Sequence, residues 1–327
     1  MRIDQQITLL RQAGRVDKAH ALAKEHYIVG GSNSRMLTSA YGWVLYARIR
    51  DGDHYFHSSV AMDDYKQWLD EFQSLFPKVE DNEINAYLLR VAIKQCNSAN
   101  WFLAFLHWFG LERLTEKDNL PYITANKGTY LSTSEQYFNA IAYQLAHVQQ
   151  QADADLLNWA EKMLDLGLEK YPDSEHLQYC KALQLVQMGK AKEGIHSFNG
   201  IAEQKSDRYW IRIQMGHLLM LAGNVEAAKS QFQQAIEMGM SYDKSRIYFF
   251  DLRILLSKLL LNYPVKVLGE MLVYGHYYSE CLKYNNAVAD HLLDINEQWN
   301  NDKRDRHLME MEERFAEFRE IWGLDDD

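Results

Sequence analysis

A spacing of 34 residues recurs in the second half of the chain. Two stretches align at this distance, with small or apolar residues at the same five positions: Leu185, Gly189, Gly194, Phe198 and Ile201 in the first, and Leu219, Gly223, Ala228, Phe232 and Ala235 in the second. A further step of 34 towards the N-terminus reaches matching residues at Ala160, Leu164 and Gly167. A fixed period of this length indicates repeated units that must stack on their neighbours to bury their apolar faces.

Each predicted unit is a pair of antiparallel helices joined by a tight turn. Gly189 and Gly223 stand where the first helix ends and the chain reverses, a position that favours the left-handed backbone conformation open to glycine. In the unit that begins at Tyr209, the small residues Gly216 and Ala228 fall where the two helices cross, and their size permits close approach. The pattern predicts an all-α fold.

Composition supports a helical core and argues against several protein classes. Hydrophobic residues make up 47% of the 327 residues and only four prolines occur, so long stretches are free to form helix. Three distant cysteines do not suit a disulfide framework or a four-thiolate zinc site, which favours a reducing cytoplasm. The strongest apolar tract, residues 101–111, is too short to cross a bilayer, and no apolar core of a signal peptide opens the chain. We therefore expect no membrane association.

The first 27 residues repeat the hairpin pattern in a degenerate form. Ile3, Ile7 and Leu10 share one face of a predicted helix. Gly14 then occupies the turn, and Ala19 follows after the five-residue offset that separates the turn glycine from the small residue in the regular units. An additional repeat unit is expected here.

The rest of the N-terminal region, up to residue 134, is predicted to be helical but irregular. Apolar spacing indicates helices over 34–50 and 60–76 and two more between 83 and 114. Residues 51–59 are expected to form a polar insertion, and residues 119–133 an ordered loop or a short hairpin.

The regular repeats are predicted to occupy residues 135–242, and a third region covers 243–327. Its last helix, about 302–322, places large apolar residues at alternating spacings of three and four, which predicts a C-terminal capping helix that shields the final layer of the array. The alternative for this helix is a seam that joins two copies of the chain as a homodimer.

On these residues the chain resembles the tetratricopeptide repeat superfamily, over residues 141–242 and again over 1–27. The resemblance implies an α-α superhelix, or solenoid, whose concave groove is lined by the first helices of the repeats and holds a segment of another protein. The N-terminal region also resembles repeat proteins of bacterial TOTE-type conflict and anti-phage systems, in the runs Leu10 to Arg15, Gly42 to Tyr46 and Trp108 to Leu111. That resemblance implies a bacterial accessory protein that works with nucleic-acid-processing partners.

The repeat register places seven side chains on the groove wall, and most are aromatic or aliphatic. They suit an amphipathic helix or an extended peptide with large side chains: Tyr179, Leu183, Val186, Trp210, Ile213, His217 and Met220. The alternative is that several of them pack inside the superhelix. A carboxylate clamp for chaperone tails needs Lys and Asn on these faces, and the chain has other residue types there, so chaperone-tail binding is not expected.

An adaptor that binds RNA or single-stranded DNA is a second possible function. The formal net charge of −10 opposes a broad phosphate-binding surface. A local basic strip is still compatible with this charge, and two clusters qualify: Arg11, Arg15 and Lys18 near the N-terminus, and Lys303 to Arg306 near the C-terminus. Acidic neighbours dilute both clusters, so solvated surface is the competing interpretation.

A metal-dependent hydrolase is the third alternative. It would use Asp51, Asp53, His54 and His57 in the predicted insertion, because histidine and carboxylate ligands build metal sites. The segment lacks a helical ligand motif, which favours a polar loop. No phosphate-binding glycine loop, serine elbow or zinc helix motif occurs in the sequence. The sequence thus predicts a non-enzymatic scaffold with no catalytic residue, metal or cofactor.

Overall fold

The structure is a computed structural model, and it describes residues 1–28, 31, 33–55, 62–79, 82–123, 129–147, 153–224, 226–228, 230–231 and 234. The chain divides into two compact units, Met1–Lys181 and Ala182–Asp327. This division falls inside the region predicted to hold the regular repeats. The predicted third region, 243–327, lies outside the described residues together with its capping helix and the possible homodimer seam at 302–322.

The described residues are almost entirely helical, which confirms the all-α prediction. Their α-helices are α1 Ile3–Gln12, α2 Val16–His26, α3 Arg35–Tyr55, α4 Met62–Leu75, α5 Ile84–Cys96, α6 Phe102–Phe109, α7 Thr133–His147, α8 Ala154–Lys170, α9 Glu175–Gln187, α10 Ala191–Gln204 and α11 Tyr209–Leu221. Two short 3-10 turns, Leu111–Arg113 and Glu116–Asn119, follow α6. None of the helices within these ranges has the length and apolar character required to cross a bilayer.

Three of the turns between helices share one backbone geometry. Their glycines Gly14, Gly189 and Gly223 have φ angles of 73°, 79° and 79°, a region that side chains with a Cβ rarely adopt. The residue after each glycine donates its backbone N–H to the carbonyl oxygen five residues earlier: Arg15 to Leu10, Lys190 to Leu185 and Asn224 to Leu219, at 2.9, 2.9 and 2.8 Å. This is the bonding pattern of a glycine-terminated helix. The predicted glycine turns are confirmed, including the one in the degenerate N-terminal pair.

The odd-numbered helices of the first unit pack side by side. α1 packs on α3, α3 on α5 and α5 on α7, while α2 and α4 pack against α3 and α8 packs against α7. The helix interfaces contain fully buried apolar side chains: Ile7, Val44, Leu45, Leu88 and Ala92. The superhelical arrangement of the whole chain remains a prediction.

The segment predicted to be densest in large apolar residues lies in the core. The helices α5 and α6 contribute Leu89, Phe102 and Phe109, all fully buried, and Tyr137 of α7 packs among the same rings. The hydroxyl of Tyr137 donates to the carbonyl oxygen of Leu106 at 2.9 Å, so this buried polar group is satisfied.

Gly42 marks a close approach between α3 and the chain after α4. A Cβ added to Gly42 would lie 2.9 Å from the ring of Phe76 and 3.3 Å from Ile84. Both distances are shorter than ordinary van der Waals contact, so the missing side chain permits the packing. Gly42 therefore lies at a tight crossing.

A short β hairpin precedes α7, and it is one of the two alternatives predicted for residues 119–133. Its strands β1 Tyr122–Ile123 and β2 Thr129–Tyr130 are antiparallel, with Tyr122 opposite Tyr130. The backbone N–H of Glu135 then donates to Oγ of Ser132 at 3.1 Å, which caps the start of α7.

In the second unit, α10 packs against α11. A Cβ on Gly194 would lie 2.5 Å from the carbonyl oxygen of Ala182, so the backbones of α10 and of the end of α9 are in near contact. Phe198, Ile211 and Leu218 are buried. The predicted partner helix of α11 is described only in part, at residues 226–228, 230–231 and 234.

The structure corrects the predicted end of α3. The sequence analysis placed a polar insertion from Asp51, whereas α3 continues to Tyr55. Polar residues do not by themselves end a helix, and Asp51 forms an ion pair with Arg50 beside it. Residues 56–61 lie outside the described part of the chain.

Candidate functional site

Most of the side chains predicted to line the groove are buried. Tyr179 lies in the first unit and has no exposed surface, and four residues of the second unit are also buried: Leu183, Val186, Ile213 and His217. Each therefore belongs to the interior of its unit in the described structure. The repeat register indicates which side chains face inwards. It does not distinguish a side chain on an open groove wall from one packed between two helices.

Trp210 and Met220 are the two predicted groove residues with accessible surface. The side chain of Trp210 is 37% exposed, and Met220 is half-buried. The guanidinium carbon of Arg208 lies 5.5 Å from the centroid of the Trp210 ring. The ring of Tyr209 meets Trp210 edge-on at 5.4 Å. Trp, Tyr and Arg are the residues most enriched at binding hot spots.

A second accessible surface lies on α1, α3, α5 and the hairpin of the first unit, and it is not among the sites predicted from the sequence. It consists of tyrosine, tryptophan and arginine side chains, each half-buried or exposed, which we name the arginine–aromatic face: Arg11, Trp43, Tyr46, Arg50, Tyr87, Arg90, Tyr122 and Tyr130. The row begins on α1, crosses α3 and α5, and ends on the hairpin.

Helical spacing places the central members of this face together. Trp43, Tyr46 and Arg50 occupy positions i, i+3 and i+7 of α3, which lie on one side of a helix. Tyr87 and Arg90 occupy i and i+3 of α5, which packs directly on α3. The sequence signal for this face is thus an alternation of rings and guanidinium groups at helical spacing.

Three rings form the centre of the face. Trp43 and Tyr46 meet at right angles with centroids 5.5 Å apart, and Tyr87 of the neighbouring helix lies 5.6 Å from Trp43 and 6.0 Å from Tyr46. Arg11 reaches this group from α1, with its guanidinium carbon 5.8 Å from the centroid of Trp43. Edge-to-face rings at these distances attract one another, so the group is held in place without an external ligand.

A stacked column continues from the centre to the hairpin. The guanidinium carbon of Arg90 lies 4.7 Å from the ring of Tyr87 and 4.7 Å from the ring of Tyr122. Tyr122 in turn stacks on Tyr130, with centroids 5.4 Å apart and planes 11° apart. Arg90 also donates from NH1 to Oγ1 of Thr133 at 3.3 Å. The column therefore has fixed geometry and ends on Tyr130, whose side chain is 51% exposed.

The face carries concentrated positive charge. Burial and the nearby charge of Arg50 lower the pKa of Arg11. Arg50 pairs with Asp51, and this hydrogen bond raises the pKa of Arg50. In the described part of the chain, neither Arg11 nor Arg90 forms an ion pair with a carboxylate. The face thus offers uncompensated cations beside aromatic rings.

A polar cluster on the other side of α3 has a structural role. The carboxylate of Glu71 accepts hydrogen bonds from His20 Nε2 at 2.7 Å, Tyr41 Oη at 2.8 Å and Lys24 Nζ at 3.0 Å. Burial alone would raise the pKa of Glu71, but these three hydrogen bonds outweigh it and lower the pKa to about 2. Because α2, α3 and α4 each supply a member, the cluster fixes the packing of these helices.

Of the four residues of the hydrolase alternative, the structure describes the side chain of Asp51 alone. Asp51, Asp53 and His54 lie in the last turns of α3, Asp53 and His54 are described only in their backbone, and His57 lies outside the described residues. Among the described residues, no three His, Cys, Asp or Glu side chains cluster in a way that could hold a metal ion. Of the histidines on apolar helices, His217 is buried, and His107 is exposed and packs edge-on against Trp159 at 4.6 Å.

Only one residue of the predicted basic cluster at the N-terminus belongs to the arginine–aromatic face. Arg11 joins it through Trp43, whereas Arg15 and Lys18 are exposed outside it. The second basic cluster, Lys303 to Arg306, lies outside the described residues.

Comparison with known proteins adds no assignment: no protein-family model matches the chain, and no curated protein matches it significantly.

Proposed function

We propose that this protein is a non-enzymatic adaptor built from tetratricopeptide-like helical hairpins, which binds a segment of another protein on its first helices. The matching hydrogen bonds at Gly14, Gly189 and Gly223 support this fold assignment, because repeat proteins reuse one local turn geometry. The proposal includes a continuous superhelix with a cap at 302–322, a cytoplasmic location, and an accessory role in a bacterial defence or nucleic-acid-processing system.

The exposure of Trp210 carries the proposal for a protein partner. A tryptophan that is 37% exposed leaves apolar surface in water, where its burial by a partner would be favourable. The ring is braced by Arg208 and Tyr209, so little side-chain freedom would be lost on binding. The buried residues Tyr179 and Ile213 support the shape of the helices and do not contact the partner in this proposal.

Affinity capture tests the protein-binding surface. The full-length protein and its Trp210→Ala variant are used as bait in parallel, and the bound proteins are identified by mass spectrometry. Leu221→Ala is a matched control, because Leu221 is 45% exposed at the far end of the same helix. We expect a partner that binds the wild type and Leu221→Ala but is lost with Trp210→Ala. An identical set of proteins on all three baits would refute the role of Trp210.

The alternative of an adaptor for RNA or single-stranded DNA is favoured by a different observation, the arginine–aromatic face. It concerns other helices and other residues than Trp210, so the two proposals do not exclude each other. The hydrolase alternative stays a prediction with no observation in its favour.

A further inference from the structure

We infer that the arginine–aromatic face binds single-stranded nucleic acid, with bases stacked on its rings and guanidinium groups and with the backbone phosphates held by its arginines. This inference goes beyond the proposed protein partner and does not depend on Trp210. It rests on two features of the face: the geometry of the stack and the charge beside it.

The column from Tyr87 to Tyr130 is a continuous series of rings and a guanidinium group. Arg90 lies over the rings of both Tyr87 and Tyr122, and Tyr122 stacks almost parallel on Tyr130. A base can continue such a column on the accessible side of Tyr130, because every base has a flat π face. Aromatic rings and the guanidinium planes of arginine are the platforms on which proteins stack unpaired bases.

The charge of the face suits phosphate groups. Arg11, Arg50 and Arg90 lie along the row, and in the described residues only Arg50 has a carboxylate partner. The lowered pKa of Arg11, due to burial and to the charge of Arg50, indicates mutual repulsion that a bound phosphate would relieve. The net charge of −10 limits attraction at long range but does not remove this local cluster.

A single strand fits these features better than a duplex. In a duplex the base faces are occupied by neighbouring bases, so the stacking surface would remain unused. The three arginines of the face can contact no more than three phosphates. The affinity should therefore depend only weakly on salt, with a slope of log K against log salt concentration of about −2. A protein segment is the competing occupant, since tyrosine and arginine also form protein hot spots, and the experiment separates the two.

Fluorescence anisotropy of labelled oligonucleotides tests the inference with the full-length protein. The probes are oligo(U) RNA and oligo(dT) DNA of about 16 nucleotides, together with a duplex of the same length. We expect binding of at least one single-stranded probe at low salt and much weaker binding of the duplex. Preference for RNA or for DNA identifies the natural ligand, and either supports the inference. Equal affinity for the duplex overturns the inference. It is also overturned if neither single-stranded probe binds.

Variants assign the binding to the face. Tyr130→Ala and Arg90→Gln should each weaken binding between about 5- and 150-fold, the range for loss of one stacking contact. Tyr130→Phe keeps the ring and should bind like the wild type, and Arg15→Gln removes an exposed charge outside the face and should do the same. If Tyr130→Ala and Arg90→Gln bind like the wild type while remaining folded by circular dichroism, the assignment is wrong.

A further control separates this inference from the proposed protein partner. Trp210→Ala should bind oligonucleotides normally, because Trp210 is not part of the face. Arg11→Gln provides an independent test if Tyr130→Ala does not fold, and it should weaken binding and reduce the salt slope. Capture of a protein that is lost with Tyr130→Ala, in the absence of any oligonucleotide binding, overturns the inference in favour of a protein ligand.

Discussion

Nε2 of His20 lies 2.7 Å from Oε2 of Glu71 and joins α2 to α4 across 51 residues of sequence. NH1 of Arg48 lies 2.6 Å from Nδ1 of the same imidazole. A guanidinium can only donate, so Nδ1 accepts and Nε2 carries the hydrogen that Glu71 receives. The chain from Arg48 through His20 to Glu71 therefore has a defined direction and connects three helices of the first unit.

Replacement of Glu71 by glutamine should lower the free energy of unfolding by about 1 to 3 kcal/mol, because donors that now bind a carboxylate would lose its charge. Asp70→Asn is the matched control. Asp70 is exposed and, among the described residues, its carboxylate pairs with Lys66 one turn away, and such pairs contribute at most about 0.5 kcal/mol. Urea unfolding followed by circular dichroism measures both values. Equal losses for the two variants would contradict the structural role of Glu71.

The lowered pKa of Glu71 also predicts a dependence of stability on pH. Its folded-state pKa is about 2, below the ordinary value of about 4.3 that it takes when unfolded. The unfolded chain therefore binds the proton first as pH falls, so the contribution of Glu71 is complete above its unfolded pKa and is lost between that value and about 2. The stability difference between the wild type and Glu71→Gln should be constant near neutral pH and shrink over this acidic window. If the stability difference stays constant down to the lowest pH at which the protein folds, the lowered pKa of Glu71 is disproved.

Gly189→Ala should destabilise the protein by about 1 to 2 kcal/mol, because φ at this position is 79° and a Cβ disfavours the left-handed region. A Cβ at Gly189 would meet no atom within 4 Å, so the cost is conformational and not steric. Gly200→Ala is the control, since Gly200 also has open space around it but lies inside α10. That change should stabilise the protein by about 0.5 to 1 kcal/mol. If both substitutions raise the melting temperature, or both lower it, the turn geometry is refuted.

Gly194→Ala should destabilise the protein for a different reason. The new Cβ would lie 2.5 Å from the carbonyl oxygen of Ala182, and a backbone atom cannot rotate away as a side chain can. Overpacking of this kind costs about 1 to 3 kcal/mol, which exceeds the gain in helix propensity from alanine. The melting temperature of Gly194→Ala should therefore fall below that of the wild type, whereas Gly200→Ala in the same helix should raise it. A neutral or stabilising Gly194→Ala would show that α9 and α10 can separate freely.

The sequence predicted local structure well because local structure depends on neighbours in the chain. The turns at Gly14 and Gly223 close through hydrogen bonds that span five residues, and the capped start of α7 at Ser132 spans three. Helix bounds followed the apolar period closely, apart from the continuation of α3 to Tyr55. In that case the polar composition of residues 51–55 suggests a break, although polar residues do not by themselves forbid a helix.

The exposure of side chains at the candidate site depends on distant contacts, which the sequence does not show. The repeat register predicts that Tyr179 and Ile213 line a groove, and both are buried, whereas Tyr87 lies in an apolar helix and is 43% exposed. Period and residue type indicate that a side chain faces inwards, but a neighbouring helix decides whether any surface remains. Gly194 and Ala228 occupy equivalent positions in two repeats. Only the structure shows why residue 194 is glycine, because a Cβ there would meet the carbonyl oxygen of Ala182.

The amino-acid sequence by itself determined that the chain forms helical hairpins and where they turn, because glycine conformation and apolar spacing act within a few residues. Only the tertiary structure decided that Arg11 of α1, Trp43 of α3 and Tyr87 of α5 meet on one surface. These residues are far apart in sequence, and no short-range preference brings them together. Helix packing does so, since α3 lies between α1 and α5 and presents its rings to both.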